Sequence, residues 1–418
     1  MHCSTGDKAS RRGSRVAVLD TIHGAEIIAQ RMIECGIQAQ PLEVYHHAAS
    51  LEGFEMVVAP IHLSPANPHL LQARSLGKRI ISHHQAVGEL MMGSIPDDLL
   101  KIEVTGTHSK TTTALLLAMI LSHQKRVLSH TTRGLEVWSG GRPRLLRAGL
   151  SITPANVILA AEAALSQGAE ALICEISLGG TGLAELGILT SFAHDYRIAA
   201  GSRWASSAKL QMLSLARRGS RLAANSDCNI SPDISFAQGG RVQALPDGLI
   251  YGEVRLGLSL GEDLDFASYQ TAISAASAAA ELLGLEREET IRALEGFGGF
   301  SGRMKIERLD GRMVFDSSNS GLKVSDIERA LDRAQGPDLV AVIGEDARTV
   351  CEGLDVPLLA DLLRRRRMEF YKLVLVGERL RPLAAELGAE TAQDLAEGLE
   401  KVASLCPKRL LSAVKCFR

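Results

Sequence analysis

The sequence is poor in aromatic side chains, with two tryptophans and five tyrosines among 418 residues. That scarcity argues against a surface on which nucleic-acid bases stack. A basic excess is missing as well. Lys and Arg number 46 against 48 Asp and Glu, a net charge of −2, so no cationic surplus exists to release counterions from a phosphate backbone. No nucleic-acid partner is expected. No apolar run reaches membrane-spanning length, and the opening MHCSTGDKASRRGSR has no apolar signal core. We expect no membrane partner, a disordered basic tail over residues 1–14, and a cytoplasmic location. The seven cysteines are scattered, odd in number and form no CxxC pair. That pattern suits reduced, mostly buried thiols.

What is present starts with length, which exceeds one ordinary core and calls for two or three domains. The most informative stretch is VTGTHSKTTT at residues 104–113. LLKIEV before it reads as a buried strand and ALLLAMILSHQ after it as a helix. Strand, tight turn at Gly106, then Lys110 and Thr111 at a helix start is the geometry of a phosphate-binding loop. Backbone N–H groups and the helix N-terminus face the anion, Lys110 adds positive charge, and the Thr111 hydroxyl can ligate magnesium. The generic Walker pattern has glycine where this chain has Val104 and Ser109.

Residues 15–97 alternate strand and helix and read as one α/β domain with a parallel sheet, whose ligands belong near strand C-termini. RVAVLD, IQAQPLEVY, FEMVVAPIHL and KRIISHH are the expected strands. Thr21, His23, His62 and His83 fall at their ends and are candidates for lining a substrate crevice. Their spacing shows no metal-ligand motif. Residues 98–300 form the second expected domain. In it AEALICEISLGGTG is a buried strand ending at Glu175, a carboxylate able to hold magnesium directly or through water. A helix over residues 207–217 carries Lys209, LAANSDC is a short strand reaching Asn225, and the alanine-rich stretch 266–285 is a structural helix. The glycine cluster FGGFSG at 297–302 marks the second boundary. Residues 301–418 then read as a β-ribbon followed by a small α/β unit, with RRRR at 364–367 a solvated helix end.

GTHSKTTT is similar to the GT-N/H-GKTT(T/S) signature of the Mur ligase superfamily, with Ser109 at its second glycine. The layout resembles that superfamily over nearly the whole chain after the first fifteen residues. The resemblance implies a three-domain α/β architecture: a Rossmann-like N-terminal domain, a P-loop ATPase domain and a Rossmann-like C-terminal domain. It implies ATP held by Gly106, Thr107, His108, Ser109, Lys110, Thr111, Thr112 and Asn225, joined by Arg303 of a GR motif and by Asp316. Magnesium would sit on Thr111 and Glu175. Lys209 falls where several members carry a carbamylated lysine, and Lys110, Glu175, Lys209 and Arg303 form the implied catalytic set. The superfamily's Asp-His appears here as Asp195-Tyr196, leaving His194 or Tyr196 at the place of a metal-ligand histidine.

The amine-ligase motif of the third domain is replaced by FDSSNSG at 315–321. With LDTIHGAEIIA, SITPA, CEISLGGTG and DYRIAAG, it resembles the coenzyme F(430) synthase family of methanogens. That resemblance implies a nickel tetrapyrrole as small-molecule substrate. A propionate carboxylate would be activated by ATP as an acyl phosphate, and a carbon of the same macrocycle would close a carbocyclic ring. Arg133 in the TTRG turn is the expected contact for a substrate carboxylate. An ATP-dependent amide ligase is the first alternative and a nucleotide-dependent metal-insertion protein the second. A monomer or homodimer is expected.

Overall fold

The computed structural model describes residues 15–46, 49–309, 311–346 and 353–417; the expected tail at 1–14 lies outside them. The first sheet joins β1 (Arg15–Leu19), β2 (Gln38–Leu42), β3 (Met56–Ala59) and β4 (Arg79–Ser82) in the order β2-β1-β3-β4, all parallel. Val16 to Leu19 are buried on both faces of β1, as a strand covered on both sides by helices requires. The strand expected over KRIISHH ends at Ser82, whose hydroxyl accepts from Gln85 N and caps the helix His83–Met91. The two histidines therefore open a helix and are buried in it. Among the described residues Cys174, Cys228, Cys406 and Cys416 are free, and all but Cys406 are buried.

The second sheet has eleven strands and a parallel centre. Its strands are β5 (Leu100–Thr105), β6 (Val127–Thr131), β7 (Gly134–Ser139), β8 (Arg142–Arg147), β9 (Ala171–Glu175) and β10 (Leu186–Leu189), then β13 (Arg221–Asn225), β14 (Ile234–Phe236), β15 (Val242–Leu245), β16 (Gly248–Tyr251) and β17 (Val254–Gly257). The order is β17-β16-β15-β14-β13-β10-β5-β9-β6-β7-β8. A two-stranded ribbon of β11 (Arg197–Ile198) and β12 (Arg203–Trp204) stands apart. β5 lies between β9 and β10, so its C-terminal loop opens at the centre of the sheet. The helix expected over 207–217 is two short pieces, Ala205–Lys209 and Gln211–Ser214. One apolar core runs from the first sheet into the second, joining Val16, Ile28, Val87 and Leu90 to Val157, Ile158 and Leu172.

The third sheet comprises β18 (Lys305–Leu309), β19 (Arg312–Asp316), β20 (Leu339–Glu345), β21 (Phe370–Val376), β22 (Glu390–Ala392) and β23 (Arg409–Lys415). It is ordered β18-β19-β23-β20-β21-β22, parallel except for the β18–β19 ribbon. Arg364 and Arg366 pair with Glu386, Asp332 and Glu369. Arg367 donates instead to the Leu387 carbonyl at 2.6 Å, so these arginines are engaged within their own fold. The first two sheets fall in one compact unit and the third in a second unit that starts at Leu294 and includes Leu258–Tyr269. Among the described residues no helix is long and apolar enough to cross a membrane.

Candidate functional site

The loop after β5 is held tightly against β10. Gly106 has φ 147°, and a Cβ there would meet Thr190 Oγ1 at 2.0 Å. Thr107 donates through its hydroxyl to Ser191 O at 3.0 Å and Ala193 O at 2.7 Å, and the Thr190 hydroxyl donates to His108 O. Ser109 takes a left-handed conformation (φ 61°), one that glycine adopts more readily than serine. Lys110 is the first residue of the helix Lys110–Leu121 and Thr111 the second, so the turn presents a helix N-terminus with a lysine beside it. Thr112 is buried behind them.

The two expected magnesium ligands meet. Thr111 Oγ1 donates to Glu175 Oε2 at 2.7 Å, and both side chains are buried. Thr132 joins the pair, its N–H donating to the same Glu175 oxygen at 3.3 Å and its hydroxyl lying 3.3 Å from that of Thr111. The β6–β7 turn therefore reaches the carboxylate at the end of β9. Arg133, next in that turn, pairs with the buried Glu136 at 2.8 Å. Burial pushes the Glu136 carboxyl up and Arg133 pulls it back. Asn225 donates to Thr190 O and accepts from Asp227 N, tying the end of β13 to β10.

Lys209 is buried at the end of its short helix, with Nζ 5.9 Å from the centre of the Tyr196 ring. Asp195 accepts from Ser206 N and Oγ and so caps the turn into that helix. His194 is exposed, at φ 52°, its ring edge-on to His108 with centroids 5.3 Å apart. Ile61 of the first domain packs with Leu178, Ala205, Ala208 and Tyr196. His84 Nε2 bonds Ser177 O at 2.8 Å. The C-terminal edge of the first sheet is thus seated beside the loop that follows Glu175.

At that edge Thr21 and His23 form a single 3-10 turn after Asp20, and His62 stands over the same aspartate. His83 departs from the set, because it is 1% exposed and its Nε2 bonds Leu19 O at 2.9 Å. It supports β1 from below and lines no crevice. Burial lowers its ring to a pKa of about 3. Asp20, which sequence reasoning passed over, is fully buried at φ 78°. Burial opposes its ionisation, yet His23, His62 and Tyr45 beside it hold its carboxyl well below the usual range. In the C-terminal unit Asp316 accepts from Gly302 N at 2.8 Å, Ser301 Oγ and Ser412 Oγ, and Arg303 donates to Asn319 Oδ1 at 3.3 Å. The GR turn and the DSSNSG stretch are therefore one hydrogen-bonded element.

Residues 306–416 match the family model described as "Coenzyme F430 synthetase CfbE, C-terminal domain". The coenzyme F(430) synthetase of Methanosarcina acetivorans is 36% identical over 97% of this chain and 99% of its own length. The chain belongs to the coenzyme F(430) synthetase family.

Solved structures give the architecture of this synthetase-family chain. The UDP-N-acetylmuramate-alanine ligase MurC of Thermotoga maritima matches 96% of it with a TM-score of 0.52 at 16% identity, over 95% of its own chain. FolC of E. coli, solved with ADP, matches 85% with a TM-score of 0.55 at 15% identity, over 96% of its own chain. The fold is that of the Mur ligases, as the sequence implied. Thr132 and Asp20 are the positions that sequence reasoning missed. The signal for Thr132 was its place in the same TTRG turn as Arg133; Asp20 ends a strand directly before the histidine turn.

Proposed function

We propose that this chain closes a carbocyclic ring on a nickel tetrapyrrole acid at the expense of ATP. The supporting observation is the Thr111–Glu175 pair under a lysine-bearing helix start, in a chain of the coenzyme F(430) synthetase family. An all-oxygen pair of one hydroxyl and one carboxylate suits magnesium, which keeps several of its waters. Thr111 and Glu175 would hold the ion, and when bound it neutralises charge on the triphosphate.

The N–H groups at the start of the helix Lys110–Leu121 and the Lys110 ammonium cradle the β- and γ-phosphates. A propionate oxygen attacks the γ-phosphorus, the bond to ADP breaks, and an acyl phosphate forms. A carbon of the same macrocycle then attacks the acyl carbon. Phosphate leaves, the carbon gives up its proton, and the organic product is one water lighter. Positioning and charge stabilisation supply most of the rate. The substrate lies along the first-sheet edge, with Thr21, His23 and His62 on one side and Lys209 on the other. Arg133, steadied by Glu136, takes a peripheral carboxylate. Arg303 and Asp316 are assigned to ATP on the motifs they match. The reaction belongs to the cytoplasm.

The test is phosphate release by the purified protein with ATP, magnesium and the uncyclised tetrapyrrole acid, with no amine present. One phosphate per turnover and a product lighter by one water are expected. Turnover only after an amino acid is added would make the chain an amide ligase instead.

A further inference from the structure

We propose that Asp20, His23 and His62 form a site for one divalent first-row transition-metal ion, separate from the Thr111–Glu175 pair. The donors are distant in sequence and converge in space. Asp20 Oδ2 lies 2.7 Å from His23 Nδ1 and 3.4 Å from His62 Nε2, and one ligand atom from each residue falls within 4.8 Å of the other two. Tetrahedral ligands at about 2.0–2.1 Å from a metal stand about 3.3 Å from one another. The Asp20–His62 separation already has that value. The Asp20–His23 contact needs to open by about 0.6 Å, within reach of a side-chain rotation at a partly exposed histidine.

Three further features favour an ion over a closed hydrogen-bond cluster. His62 Nε2 is shielded from solvent and makes no hydrogen bond, although it faces the carboxylate. A ring nitrogen in that condition is costly unless something fills the gap. Asp20 is 0% exposed, and the side chains against it are two imidazoles and the Tyr45 phenol, which donates at 3.0 Å. A dication would add to the stabilisation that the two imidazoles and the phenol already give the buried carboxylate, and Tyr45 would orient that carboxylate from outside. Asp20 also holds a left-handed backbone at φ 78°, ψ 82°, strain of the kind kept at ligand clamps.

The two histidine side chains are 26% and 30% exposed, so the cluster lies near the surface although the carboxylate is buried. Two imidazoles and a carboxylate suit zinc, cobalt or nickel, whereas magnesium prefers oxygen alone.

The experiment uses the untagged full-length protein, stripped with a chelator and titrated with Co2+ while its visible absorption is followed. One equivalent is expected, with displacement by Zn2+. His23→Ala and His62→Ala should each weaken Co2+ binding at least about 10-fold, with circular dichroism showing that both variants fold. Glu175→Gln should leave Co2+ binding where it was. Absence of stoichiometric binding, binding that survives both histidine changes, or binding lost with Glu175→Gln would each overturn the proposal.

Discussion

Gly106 and Ser109 show how much one backbone angle decides in the phosphate loop. At Gly106 an added methyl would meet Thr190 Oγ1 at 2.0 Å and Ser191 N at 3.0 Å, and φ 147° is unfavourable for any L side chain. Gly106→Ala should cost about 1–3 kcal/mol and break the Thr190 clasp on His108. Thermal unfolding and binding of an ATP analogue would both register it. Ser109 is the reverse case, a left-handed residue with no side-chain cap bond. Ser109→Gly should hold nucleotide affinity and raise stability by up to about 1 kcal/mol, and an order-of-magnitude loss of affinity would contradict that reading. The placement of Lys110 and Thr111 at a helix start and of Glu175 at a strand end was legible, because strand, turn and helix patterns meet there. Asp20 and Thr132 were not, since their roles come from contacts 42 and 43 residues away, to His62 and to Glu175.

The helix His83–Met91 was hidden by its own start, where RIIS runs straight into two histidines. The β7–β8 hairpin was hidden because GLEVW is buried at every position and shows no alternation. The phosphate loop, its flanking strand and helix, and β9 were plain from pattern alone. Buried histidines give these elements a pH response. His83 bonds Leu19 O, His84 bonds Ser177 O and His130 bonds Ser151 O. Burial lowers their rings to about 3, about 4 and about 4. These folded values lie below the unfolded one, so the unfolded chain binds more protons between about pH 6.5 and 4, and stability falls as pH drops through that window. At pH 5.5 each should cost about 1 kcal/mol. Melting curves from pH 7 to 5 should show a steep decline, which His84→Gln flattens by keeping a donor that cannot charge. A melting temperature independent of pH would rule this out.

Across the whole molecule the order of sheets was readable, because a phosphate loop near residue 110 between two α/β patterns matches one architecture. The second compact unit extends back to Leu258–Tyr269, where Arg308 pairs with Asp263 and Tyr269 accepts from Phe300 N at 2.8 Å. These contacts tie residues before the FGGFSG cluster to residues after it, and no local pattern announces them. The chemistry rests on one event, the transfer of a carboxylate oxygen to phosphorus. The decisive measurement therefore uses substrate labelled with oxygen-18 in the reacting carboxylate and analyses the released phosphate by mass spectrometry. One labelled oxygen per phosphate is the predicted result. Unlabelled phosphate, formed alongside cyclised product, would contradict activation through an acyl phosphate.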